Sequence, residues 1–227
     1  MKNKNKYLIL VFLTIGGCSD INNSKNTEVS LHDRPIIETQ PQSRPLPNPN
    51  KNAYYGDLHV HTENSFDAYT FGTISTPADA YKYAQGYPIQ HPSGYLIQLS
   101  KPLDFYAVTD HGIFMGLMKE AADTTSKFSQ YEFTKPLHNL NESVGTGFFS
   151  LIKRQGLFRP FGEKVRAGLE DGSIDLSLIL EVGRTVWQKT IKAADDAYVP
   201  GTFTTFAAYE YTPSLDLYNN YLHRNVI

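Results

Sequence analysis

The chain has 227 residues, 41% of them hydrophobic, and a formal charge of -2. That is enough for one well-buried globular domain, and the near-neutral balance gives no electrostatic reason to expect a nucleic-acid partner. The single cysteine, Cys18, excludes an internal disulfide framework and any multi-cysteine zinc site, so metal chemistry would have to rest on histidines and carboxylates.

Lys2, Lys4 and Lys6 form a basic head before an apolar run over residues 7–15, which leads through Gly16 and Gly17 into Cys18. A basic head, a short apolar stretch and small residues before a cut site make an export signal. The run is about half the ~20 residues a membrane-spanning helix needs. Ile15-Gly16-Gly17-Cys18 resembles a bacterial lipobox, which implies a signal peptide over residues 1–17 and a diacylglyceryl group on Cys18. The expected location is then the surface of a bacterial membrane, held by a lipid anchor. Residues 18–52 are polar, with Pro41, Pro45, Pro47 and Pro49 favouring extended geometry, and read as a disordered tether that includes His32.

The folded domain is expected over residues 53–227. Residues 54–60 read as a short buried strand, and Thr76-Pro77-Ala78-Asp79 starts a helix that runs to Gln85 and stops at Gly86. Further apolar strands are expected over residues 103–109 and 203–209, with a fourth opening near His223. Between the second and third lies a mostly helical insertion, about 113–200. Phe114, Leu117, Met118, Ala121 and Ala122 fall at helical spacing there, as do Leu176, Leu178, Ile179, Val182, Val186 and Trp187. Residues 145–161 give no clear period. Strand–helix–strand order points to α/β with parallel strands whose C-terminal ends carry the chemistry.

Those ends are where the chemical residues gather. His59-Val60-His61 closes the first strand, and i and i+2 on a strand share a face. Asp67 follows in Glu63-Asn64-Ser65-Phe66-Asp67, the second strand ends in Thr109-Asp110-His111-Gly112, the third in Glu210, and the fourth opens with His223-Arg224-Asn225. Imidazoles with carboxylates suit Zn, Mn or Fe, and paired ions of this kind acidify a water and clamp a phosphoryl group. Asp57 reads as a hydrogen-bonding support, His91 and His138 as solvent-facing, and Arg224 as a strand-edge residue within reach of a substrate phosphate.

Gly56-Asp57-Leu58-His59-Val60-His61-Thr62 and Ala107-Val108-Thr109-Asp110-His111-Gly112 resemble the first two motifs of the PHP (polymerase and histidinol phosphatase) superfamily. With Ser65-Phe66-Asp67-Ala68 and His223-Arg224-Asn225-Val226-Ile227 they are similar to its DUF3604 branch. The resemblance implies a distorted (β/α)7 barrel, present here in part and carrying a helical insertion, with two or three divalent ions hydrolysing phosphoesters. It implies that His59 and His61 bind one ion, that Glu210 bridges, and that His111, His223 and Asp67 serve neighbouring ions. Asp110 would be either a ligand or the acid that orients His111; Asp110, His111 and Glu210 are the expected catalytic set. The superfamily's closing Asp-x-His is absent from the sequence, so a fragment of a longer barrel is expected, with the insertion as a cap over the metal face. Two other readings stay open: a metal- or ligand-binding surface lipoprotein without catalysis, and a hydrolase of amide or other ester bonds.

Overall fold

The computed structural model describes residues 52–142, 148–212 and 223–227, together with Leu46 and Pro49. The basic head, Cys18, His32 and nearly all of the tether lie outside the described residues. Among those described, no helix is long and apolar enough to cross a membrane.

The fold is mixed α/β around a parallel sheet. Strand β4 (Phe105–Val108) lies in the middle, with β1 (Gly56–Asp57) on one side and β5 (Thr204–Ala207) on the other, both parallel to it. Gly56 stands opposite Phe105, and a Cβ there would strike the Phe105 ring and carbonyl oxygen; only glycine lets the two strands approach this closely. β4 is apolar and largely buried because it is covered by helices, as central parallel strands are. β1 departs from expectation. It is two residues long, lies at the edge of this sheet and is exposed, as are Tyr54 and Tyr55 before it.

Two helices build the layer on the sheet. Helix α2 (Pro77–Ala84) starts as its sequence dictates: the Thr76 hydroxyl accepts from the Asp79 N–H, and the Asp79 carboxylate accepts from the Thr76 N–H at 3.1 Å. Such a box is worth about 1 kcal/mol. Helix α5 (Leu176–Ala197) begins at Asp175, whose carboxylate accepts from the Ser177 N–H. It packs on α2 and β5 as the crossover between β4 and β5, not as a cap over the strand ends. The Gln85 amide donates to the Ala197 carbonyl and the Thr205 hydroxyl to the Ala194 carbonyl, tying α2, α5 and β5 together. Ala80, Tyr81, Ala84, Tyr106, Val108, Ala194 and Phe203 fill the space between.

A second, helical layer comprises α1 (Phe66–Thr70), α3 (Leu117–Ala122), two 3-10 turns (Phe128–Gln130 and Glu132–Leu137) and α4 (Phe148–Glu170). Its own apolar cluster includes Leu117, Met118, Phe128, Phe161 and Val165. Arg154 on α4 is buried there, and its guanidinium donates to the carbonyls of Thr70 and Leu140 and to Asn141 Oδ1.

Two short antiparallel ribbons complete the description: β2 (Ile89–Gln90) with β3 (Leu96–Ile97), and β6 (Tyr209–Tyr211) with β7 (Arg224–Val226). The strand expected over residues 203–209 is thus two strands. β5 joins the parallel sheet, the chain breaks at buried Ala208, and β6 turns to pair with β7. The fourth strand is antiparallel to its neighbour, contrary to the all-parallel expectation.

Candidate metal centre

All the candidate ligands lie beyond the C-terminal ends of the parallel strands, where a sheet of this kind opens its crevice. His59 and His61 do not share a strand face as expected; they follow β1 on irregular backbone. Hydrogen bonds fix that backbone. Asp57 Oδ1 accepts from the His59 N–H at 2.9 Å, Thr109 Oγ1 accepts from the Val60 N–H, and the Val60 carbonyl accepts from the Thr109 N–H.

Past β4 the ladder continues as a parallel bridge between His111 and Glu210, which brings the second motif beside β6. The chain then turns away through Phe114, a left-handed residue at φ 54, and Gly116 at φ 75. A Cβ on Gly116 would meet Val186 of α5, so the turn after the motif is also where α3 docks on the crossover helix.

Glu210 is the hub. It is only 2% exposed, and its two oxygens face different partners. Oε2 lies 2.9 Å from His59 Nε2 and 2.8 Å from His61 Nε2. Oε1 lies 2.5 Å from His223 Nδ1 and 3.5 Å from His111 Nδ1. Asp67, at the start of α1, lies 3.0 Å from His61 Nδ1 and 3.4 Å from His111 Nε2. Ser65, at the N-cap position of α1, does not cap the helix; its hydroxyl donates to Asp67 Oδ1 at 2.6 Å and accepts from the His111 N–H.

The electrostatics follow from this packing. Burial opposes the charge on His61, but Asp67 and Glu210 outweigh it and push the imidazole up to about 9. Burial likewise works against the Asp67 carboxylate, yet hydrogen bonds from His111, His61 and Ser65 hold it far below the usual range. For Glu210, too, burial is overcome by His111, His61 and His59, and the carboxyl is lowered. At neutral pH the metal-free cluster therefore carries a proton on His61, bridging two carboxylates in the place a cation would take.

Three groups have donor atoms close enough to share one ion: His59, His61 and Glu210; His61, Asp67 and His111; and His111, Glu210 and His223. A buried carboxylate, Glu210, and a half-buried one, Asp67, facing imidazoles fit a divalent ion of the Zn, Mn or Fe type. The first and third groups have only Glu210 in common, and its two oxygens already divide between them. The second group needs His61 and His111, which the other two also use, and a neutral imidazole serves one ion.

Asp110 and Arg224 are not brought into these groups. Asp110 is fully buried, and its oxygens accept from the Thr62 N–H and hydroxyl at 2.5 and 2.7 Å. Burial raises it to about 6 despite those bonds. It thus locks the loop after His61 and does not touch the His111 ring, whose Nδ1 meets the Thr212 hydroxyl at 2.7 Å. Arg224 stands opposite Tyr211 on the ribbon face away from Glu210, with its guanidinium 5.8 Å from the Tyr211 ring centre. His91 stacks on Tyr95, and His138 is half-buried against the Ser129 carbonyl, so neither is simply solvent-facing. Thr62, Ser65, Thr109 and Thr212 were not singled out in the sequence. Their hydroxyls bind the strand-end motifs to one another, and only adjacency to the His and Asp residues could have flagged them.

On one side the polar cluster meets aromatic rings. Phe66 lies 4.7 Å from His111, and Phe158 of α4 stacks on Phe66 at 5.1 Å.

A parallel sheet whose strand ends converge on histidines and carboxylates that could hold a metal ion defines the class of this α/β protein. The chain belongs to the DUF3604 family: the model described as "Protein of unknown function (DUF3604)" matches residues 48–227. No curated protein and no solved structure matches it.

Proposed function

We propose that this protein is a metal-dependent hydrolase acting on phosphoesters, with a PHP-type barrel as its full architecture. The single observation that carries the reading is the division of Glu210: one oxygen toward His59 and His61, the other toward His223 and His111. Two ions can then be held at once, with Glu210 between them.

Bound there, divalent ions would supply Lewis acidity toward phosphoryl oxygens and acidify a water. The chain's own residues do the rest. His59, whose side chain is 63% exposed, lies at the solvent-facing side of the centre. Asp67 and Ser65 orient His61 and His111, and Asp110 holds the His61 loop through Thr62. Phe66 and Phe158 form an apolar wall beside His111 that excludes water from one flank. Export on a lipid attached to Cys18 belongs to the same proposal and rests on the lipobox resemblance alone.

The test is metal content by elemental analysis, beside a His59→Ala/His61→Ala double variant, followed by a screen of phosphomonoesters, phosphodiesters and carboxylic esters. About two ions per chain, reduced in the variant, with turnover of a phosphoester is the expected result. Metal without turnover would move the protein to the non-catalytic metal-binding reading; turnover only of carboxylic esters would keep the centre and change the substrate.

A further inference from the structure

We propose that Asn225 is an additional oxygen donor of this centre, with its carboxamide Oδ1 serving the bound ion beside Glu210. The inference rests on the reading that the cluster holds divalent ions.

Among the described residues, Asn225 Oδ1 is the buried side-chain polar atom that has no hydrogen-bond partner. An orphaned acceptor of this kind costs about 1–3 kcal/mol, and such atoms call for a specific explanation. The amide cannot escape by flipping. Its Nδ2 donates to the Leu58 carbonyl at 2.6 Å, and a flip would set Oδ1 against that carbonyl oxygen, acceptor against acceptor. The orientation is therefore chosen by the protein.

Its direction follows from the ribbon. Asn225 stands directly across from Glu210 in the β6–β7 register, and directly opposed residues project from the same face with Cβ atoms about 5 Å apart. Arg224 and Tyr211 take the other face. Asn225 thus shares the face of the carboxylate that joins two ligand groups, while its Nδ2 grips the residue before His59.

The chemistry fits a cation. A carboxamide oxygen is a hard, neutral donor, suited to Mn²⁺ more than to Zn²⁺. It adds a coordinating atom without adding negative charge to a pocket that already holds Glu210 and Asp67.

The experiment is a titration of the metal-free full-length protein with Mn²⁺ and, separately, Zn²⁺ by calorimetry. Wild type is compared with Asn225→Ala and Asn225→Asp, and the Tm of each metal-free form is measured alongside. Both variants lose the bond to Leu58, so both should lower the metal-free Tm. Asn225→Ala should weaken Mn²⁺ binding about 10- to 100-fold and Zn²⁺ binding less, whereas Asn225→Asp, which keeps an oxygen, should bind Mn²⁺ at least as well as wild type. Unchanged affinity in Asn225→Ala would overturn the inference. So would an equal loss in both variants, which would assign Asn225 to holding Leu58 alone. Wild type that binds neither ion would remove the metal centre itself, and the proposed function with it.

Discussion

The two apolar clusters among the described residues are built by different means. Between the sheet and α2/α5, regular elements meet through small and aromatic side chains, and the polar bonds there run from the Tyr81 and Thr205 hydroxyls and the Gln85 amide to the main chain. Around α1, α3 and α4, the packing closes over a buried guanidinium, Arg154, whose three acceptors are all uncharged. The candidate centre draws on both sides. Glu210 and His111 come from the sheet side, and Asp67 comes from α1, whose last carbonyl, at Thr70, is held by Arg154. The hub of the centre is thereby fixed by strand pairing, while Asp67 depends on how one short helix is moored.

Removing the hub should have the largest effect. Glu210→Ala takes a donor from two of the three ligand groups. We expect metal affinity to fall by about 100-fold or more, read by elemental analysis after dialysis; two ions retained per chain would break the assignment of Glu210 as the shared ligand. Arg154→Ala tests the other side. It leaves three acceptors unpaired and a void in the helical cluster, for an expected loss of about 2–4 kcal/mol in denaturant unfolding. Metal stoichiometry should survive, because the groups that share Glu210 take no donor atom from α1. Equal loss of metal in both variants would show that the two sides are not separable.

Solution pH separates metal-free from loaded protein. The His61 imidazole is raised from 6.5 to about 9 in the fold, so its contribution to stability is complete below pH 6.5 and lost as pH rises through 9. The metal-free Tm should accordingly decline across that window. Metal binding needs His61 neutral, so affinity should rise over the same window, with protons released on binding below pH 9. Parallel trends for the two forms would remove His61 from the ligand set. The smallest effect is expected far from the centre. Thr76→Ala should cost about 1 kcal/mol through its cap and leave metal binding unchanged, as a calorimetric titration would show.

Much of the sheet side was legible in the sequence because its signals are local. Thr76-Pro77-Ala78-Asp79 carries a capping box whatever surrounds it, and the apolar spacing over α5 is regular. On the helical side the spacing over α3 is regular too, but α4 was not legible. α4 contains Gly156, Pro160 and Gly168, residues that spoil a helical pattern, and the helix stands on tertiary support from Arg154 and on Gly168, where Ile174 approaches too closely for a Cβ. The histidine and carboxylate ligands were readable as strand-end clusters. Their connections were not: the break at Ala208 and the antiparallel β7 depend on pairing between distant segments. That pairing puts Glu210 inside a strand and sets Asn225 across from it. By its place in the motif Asp110 reads as a ligand or as the acid that orients His111, and the position of Thr62 shows each of its oxygens accepting a hydrogen bond.

The pairing of His59 with Glu210 joins residues 151 positions apart, and Asn225 reaches Leu58 across 167. Contacts this distant form late, since the intervening chain must be ordered before they can be made. During synthesis the His-Val-His segment emerges long before α5 is laid against the sheet and β6 can deliver its carboxylate. Until then it offers two imidazoles with no bridging acid. Under the proposed metal-binding role, uptake by the two groups that share Glu210 would therefore wait until β6 is paired, and bound metal would report that pairing.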